Sequence, residues 1–182
     1  MQSAPLSVDT GTGLLVGVRL VPSPHQDARP PGAAPTLAVI HGISLPPGEF
    51  GGPWIDALFT GVLPPDRHPY FRQIASLRVS AHACIARDGQ ITQYVPFHRR
   101  AWHAGASVFR HRVACNDFSV GIELEGADDL PYADVQYAQL NRVLAALRRA
   151  YPRLAAVAGH SDVAPGRKTD PGPAFDWSRV AA

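Results

Sequence analysis

The sequence predicts a single α/β domain built on a mixed central β-sheet flanked by helices. Three observations predict it. Apolar runs at residues 37–40, 119–124 and 154–158 have the continuous hydrophobicity of strands buried on both faces. An Asp-Gly step within Arg87-Asp88-Gly89-Gln90 separates two further apolar segments, 79–85 and 91–95, and signals an antiparallel hairpin. Leu140, Val143, Leu144 and Leu147 recur at helical spacing within 134–150, with Arg142, Arg148 and Arg149 outside the stripe. Strands mixed with helices, including a hairpin, imply a mixed sheet with helices on its faces.

The elements follow in order. Residues 22–35 are rich in proline and glycine and form a loop leading into the first strand, 37–40, which ends at His41. Residues 45–52 are a turn-rich excursion, and Trp54, Ala57 and Leu58 begin a short helix that stops near Gly61. After the loop 62–69 and the hairpin comes the strand 119–124, and then the helix 134–150 with Asp134 as its N-cap. The last apolar run, 154–158, leads into Gly159-His160 and a loop over 161–173. No internal repeat and no long linker divides the chain, and 182 residues at 46% apolar content suit one domain better than two.

Composition excludes several classes of function. A net charge of +2, with eight histidines neutral, is too small to grip nucleic acid or anionic lipid, so neither is an expected partner. No run approaches the roughly 18 apolar residues of a membrane span, and residues 1–10 have neither a basic nor a continuous apolar region of a signal peptide. A cytoplasmic location is therefore expected. The two cysteines, Cys84 and Cys115, read as reduced, buried small apolar groups.

Four residues invite chemistry. Glu123 lies inside an apolar strand, where a carboxylate is costly to bury without a partner. His41 and His160 each follow an apolar run into a loop, and Asp170 lies in the loop after His160. A catalytic zinc takes three such ligands and leaves a fourth position open. The two histidines are far apart and match no local zinc motif. On the residues alone a second reading stands beside the first: each histidine hydrogen-bonds a carbonyl at a strand end, and Asp170 caps a turn before Pro171. His25, His68, His98 and His111 fall in loops or near turns and carry no assigned chemistry.

Longer segments carry a resemblance: HGISLPPGEFGGPWIDALFTG (41–61), RVSAHACIARDGQITQYVPF (78–97), AWHAG (101–105), CNDFSVGIELEG (115–126) and GRKTDPGPAFDW (166–177). Together they resemble the cytoplasmic 1,6-anhydro-N-acetylmuramyl-L-alanine amidases of N-acetylmuramoyl-L-alanine amidase family 2, related to phage lysozyme-like amidases and peptidoglycan recognition proteins. The similarity covers about residues 20–177, which leaves 1–19 as an N-terminal extension of a single amidase domain spanning 1–182.

The resemblance implies a mixed sheet with flanking helices and a Zn2+ ion held by His41, His160 and Asp170. It implies hydrolysis of the amide between the lactyl group and L-alanine of a small muropeptide, by a monomer acting in cell-wall recycling. Zinc acidifies a water and polarises the carbonyl. Glu123 is implied as general base and then acid, and Lys168 as the stabiliser of the oxyanion. Arg78 is implied to grip a stem-peptide carboxylate, Trp102 and His103 to line the groove, and Asn116 to donate to the ligand. His82 matches the sheet motif as a satisfied core histidine.

The sequence departs from the family at Gly42, where the family has asparagine, and across 107–114. There Ala114 replaces an arginine, so a second carboxylate clamp would fall to a neighbour such as Arg112. Two other functions share these features: a non-catalytic peptidoglycan-binding module, and an amidase acting on polymeric peptidoglycan.

Overall fold

The apolar runs become strands of a six-stranded mixed sheet, the run at 154–158 at its edge and the others inside, in a computed structural model that describes residues 5–181. The strands are β1 (Arg19–Leu20), β2 (Leu37–Ile43), β3 (Ala83–Ile85), β4 (Ile91–Gln93), β5 (Ser119–Glu125) and β6 (Ala156–Gly159). Their spatial order is β6-β2-β5-β3-β4-β1. The pairs β6·β2, β2·β5, β5·β3 and β4·β1 are parallel, and β3·β4 is the antiparallel hairpin. The helices are α1 (Trp54–Thr60), α2 (Phe71–Ile74), α3 (Asp134–Ala150) and α4 (His160–Val163).

Strand side chains alternate between faces, and the alternation sorts the core from the site. Ala38 and Ile40 of β2 and Val120, Ile122 and Leu124 of β5 join a cluster with Tyr137, Leu140, Val143, Leu144 and Leu147 of α3. Leu37 and Val39 point the other way, into a second cluster with Phe118 and Ala158. On that second face, therefore, lie His41 of β2 and Ser119, Gly121, Glu123 and Glu125 of β5. Leu144 is fully buried at the centre of the first cluster. Truncation there, as Leu144→Ala, is expected to cost about 2–5 kcal/mol through lost transfer energy and a cavity. A urea titration should show a lower midpoint at unchanged slope.

The structure revises several boundaries. His41 does not end its strand, because β5 keeps pairing with β2 through Glu123↔His41 and Glu125↔Ile43. The hairpin strands are shorter than their apolar segments. Tyr94 and Val95 both direct their N–H groups to the His82 carbonyl, a bulge that interrupts the ladder. The hairpin turn itself uses its residues as expected: Asp88 accepts from the Gln90 N–H at 2.8 Å, and Gly89 takes the left-handed φ of 86°. The strand expected at 154–158 begins later and ends at Gly159, and His160 opens α4.

The N-cap of α3 is Ala133 rather than Asp134. Gln136 accepts from the Ala133 N–H at 3.0 Å, while Asp134 sits in the first turn and pairs with Arg179 at 2.8 Å. In the leading segment, Leu6 and Leu15 are buried in the α3 cluster. The Leu15 N–H donates to Gln93 at 2.7 Å, and Arg149 donates to the Leu6 carbonyl at 2.6 Å. No helix among the described residues is long and apolar enough to cross a membrane.

Candidate active site and metal centre

Parallel pairing of β6, β2 and β5 brings three chain-distant side chains to one end of the sheet. His41 comes from β2, His160 from the first residue of α4 just beyond β6, and Asp170 from the loop that follows. His41 Nδ1 lies 2.9 Å from His160 Nδ1, and Asp170 Oδ2 lies 3.0 Å from His160 Nδ1 and 3.2 Å from His41 Nδ1. An ion held tetrahedrally about 2.0–2.1 Å from its donors separates them by about 3.3 Å. The observed triangle is close to that size, and two imidazoles and a carboxylate are the donor set that zinc takes. Thus these residues can hold a metal ion, and the arrangement fits zinc.

Electrostatics suit the same purpose. Burial pushes the His41 imidazole down to about 4 despite the adjacent Asp170 carboxylate, so the ring is neutral at physiological pH. Burial would raise Asp170, yet hydrogen bonds with His160 and His41 outweigh it and hold the carboxyl well below the usual carboxylate range. Neutral imidazole and ionised carboxylate are the forms that bind a cation. The loop carrying Asp170 is anchored by the Tyr132 hydroxyl, which donates to the Pro171 carbonyl at 2.9 Å. A Cβ at Gly42 would collide with that hydroxyl. Glycine at position 42 thus leaves the tyrosine hydroxyl the space that a side chain would need.

Beside the triad, Glu123 is 8% exposed and its Oε2 has no hydrogen-bond partner among the described residues. Burial, reinforced by the negative charge of Asp170 and only partly offset by Lys168, pushes its carboxyl well above the ordinary value. An unpartnered buried carboxyl with a raised pKa, facing a cavity, is arranged to exchange protons rather than to stabilise the fold. The cavity has a volume of about 630 Å³, and His41, Glu123, His160, Lys168 and Asp170 all line it. Trp102 and His103 also line it.

Other expected contacts lie elsewhere. Arg78 is exposed, with its guanidinium 5.4 Å from the Trp102 ring centroid, and does not line the cavity. Asn116 turns inward: its Oδ1 accepts from the His103 and Ala104 N–H groups at 3.2 and 2.8 Å, holding the AWHAG loop. Arg112 stacks on Phe118 at 3.7 Å and donates to Thr36, while Arg167 reaches the cavity instead. His82 is buried and satisfied, with Nδ1 accepting from the Gly121 N–H at 3.0 Å and Nε2 3.1 Å from the Arg99 carbonyl. Cys84 and Cys115 are free and buried.

The profile of the N-acetylmuramoyl-L-alanine amidases matches residues 31–173, a stretch that contains all five of the converging polar residues. The chain belongs to the N-acetylmuramoyl-L-alanine amidase family. It is 65% identical over 168 residues to the 1,6-anhydro-N-acetylmuramyl-L-alanine amidase AmpD of Escherichia coli strain K12, covering 92% of each chain. The fold matches a crystal structure of a selenomethionyl AmpD derivative at a TM-score of 0.92 and 60% identity, over 96% of this chain and 99% of that one. A more distant likeness, at 27% identity and a TM-score of 0.58, covers 79% of this chain and 57% of AmpDh3 from Pseudomonas aeruginosa, crystallised with an anhydromuramic pentapeptide. This amidase is an enzyme of the AmpD group, and its mixed sheet with flanking helices is that group's fold.

Sequence reasoning missed the second layer of the amidase site. Ser119 and Gly121 share the Glu123 face of β5, a pattern visible in the alternation Ser-Val-Gly-Ile-Glu-Leu-Glu. Tyr132 and Arg167 had no such signal, because their contacts cross 39 and 63 residues of chain.

Proposed function

We propose that this amidase hydrolyses the amide between the lactyl group and L-alanine of 1,6-anhydro-muropeptides, with zinc held by His41, His160 and Asp170. One observation carries the reading: two imidazole nitrogens and a carboxylate oxygen converge at a cavity wall beside a buried, unpartnered glutamate. Identity to AmpD over nearly the whole chain supports the substrate class, as does the anhydromuramic pentapeptide bound by AmpDh3. A recycling role in the cytoplasm, performed by a monomer, belongs to the same proposal.

A zinc ion in this site supplies a Lewis acid for the scissile carbonyl and acidifies a water molecule. Glu123 takes a proton from the water that attacks the carbonyl carbon. The same carboxyl delivers that proton to the nitrogen of L-alanine as the C–N bond breaks, and the product leaves as a neutral amine. Lys168, which lines the cavity, sets its ammonium beside the negative charge that develops on the carbonyl oxygen. Trp102 offers an apolar wall to sugar or peptide, and Arg78, whose guanidinium lies over the Trp102 ring, pairs with a stem-peptide carboxylate. Asn116 acts one step back, by fixing the loop that bears Trp102 and His103.

The test is mass-spectrometric cleavage of a defined anhydromuropeptide by metal-replete and chelated protein, beside an arm with intact polymeric peptidoglycan. Release of the peptide with free N-terminal L-alanine is expected only with metal and chiefly from the small substrate. No cleavage by replete protein would leave a binding module, and preferential release from polymer would make the chain a wall amidase. Lys168→Ala is expected to keep zinc and lower kcat by about a hundredfold, the usual loss of roughly 3 kcal/mol for one oxyanion donor. Steady-state kinetics with zinc analysis of the same sample checks it.

A further inference from the structure

His103 lines the cavity, yet its ring nitrogens are both engaged by the protein. Nδ1 lies 2.9 Å from His41 Nε2, on the side of that imidazole away from Asp170, and Nε2 lies 3.1 Å from Ser119 Oγ. The contact with His41 is edge-on, the rings crossing at 88° with centroids 5.0 Å apart. Ser119 Oγ lies 2.6 Å from the Cys115 carbonyl, which can only accept, so the single hydroxyl hydrogen goes there. The serine oxygen then receives a hydrogen from His103 Nε2. In the neutral ring that leaves Nδ1 as an acceptor, and among the described residues the hydrogen it faces is on His41 Nε2. With its hydrogen on Nε2, neutral His41 presents a lone pair at Nδ1, the atom that faces His160 and Asp170.

The placement is built rather than incidental. The His103 backbone is held by Asn116, and the ring lies over Gly121, where an added Cβ would come within 2.7 Å of Nδ1 and Cδ2. We propose that His103 is a positioning residue, which fixes the ring orientation and tautomer of His41 for metal binding through the chain His41 Nε2–H to His103 to Ser119 to the Cys115 carbonyl. Partners of this kind hold a ligand imidazole in its metal-binding form, and losing one typically weakens metal affinity by 10–100-fold. This inference rests on the reading of His41, His160 and Asp170 as a zinc site.

The test is competition for zinc with a chromophoric chelator, with cobalt absorption spectra as a second readout. His103→Leu keeps bulk but removes the acceptor, and is expected to bind zinc about 10–100-fold more weakly with an altered cobalt spectrum. His103→Asn sets its Oδ1 where Nδ1 stood and is expected to recover most of the affinity. A leucine variant that binds as the wild type does, or an asparagine variant as weak as the leucine one, overturns the assignment. Should circular dichroism show that His103→Leu does not fold, Ser119→Ala decides: severalfold weaker zinc binding supports the chain, and unchanged binding refutes it. Wild-type protein that binds no zinc would instead remove the metal site itself, an outcome distinct from equal binding by wild type and variants.

Discussion

Glu123→Gln is expected to lose turnover by about a hundred- to ten-thousandfold, the usual range for a general acid-base group, while keeping its zinc and gaining stability without it. The activity loss follows because an amide side chain cannot carry a proton from water to the departing nitrogen. Zinc is kept because glutamine leaves His41, His160 and Asp170 in place. The stability gain follows from burial: the folded-state pKa of Glu123 lies well above its ordinary value, with burial the largest cause and Asp170 the next. The protonated form is thus the one the fold favours. Its contribution is complete below the unfolded pKa of about 4.3 and is lost as pH rises through the folded value.

Glutamine has no such loss, so zinc-free wild type and variant should melt alike near pH 4 and diverge as pH rises. The divergence is the extra cost of burying a charged rather than a neutral group, and each kcal/mol of it shifts the melting temperature of a chain this size by about 2–4 °C. Thermal melts at several pH values with chelator, and kinetics with zinc, read both halves. A variant that turns over at wild-type rate ends the proton-transfer role. One that melts below wild type at pH 8 shows that the carboxylate has a stabilising partner after all.

The fold was legible where local pattern and burial agree. The runs at 37–40 and 119–124 form the sheet centre, where strands are covered on both faces, and the stripe on α3 packs where its period requires. What was not legible depends on distant partners. β1 is two residues with no apolar pattern, both exposed, and exists because Arg19 and Leu20 pair with Thr92 and Gln93. The bulge opposite His82 shortens the hairpin through backbone bonds that no propensity encodes. In the site, strand-end position drew attention to His41 and His160, but only the parallel register of β6, β2 and β5 brings them within 2.9 Å. The resemblance puts His103 in a substrate groove. It does line the cavity, but the engagement of its ring with His41 and Ser119 was not legible, because Asn116 ties the loop down from 12 and 13 residues away.

Asp170→Ala should separate the metal role from the proton role by failing on both counts. Asp170 is the single anionic member of the triad, and its Oδ2 is shared between the two imidazoles at 3.0 and 3.2 Å. Its loss leaves two neutral donors, too few for the three-ligand site that keeps a catalytic zinc. Zinc that binds only the folded state stabilises it by about 4 kcal/mol at a thousandfold excess over Kd. Wild-type melting temperature should therefore climb with zinc, and that of Asp170→Ala should not respond over the same range.

The zinc-free proteins should differ as well. A carboxyl held below its ordinary pKa contributes stability above the unfolded value near 3.9, and the contribution is lost as pH falls through the folded value. The variant lacks that contribution at neutral pH. It also lacks the negative charge that helps raise Glu123, so the pH at which Glu123 ionises should move down, as carboxyl NMR shifts of the zinc-free protein would report. Set beside Glu123→Gln, which keeps zinc and loses turnover, the alanine variant loses both. If Asp170→Ala bound zinc as wild type does while Glu123→Gln did not, the two carboxyls would have exchanged roles, and the water-activating base would have to be sought at position 170.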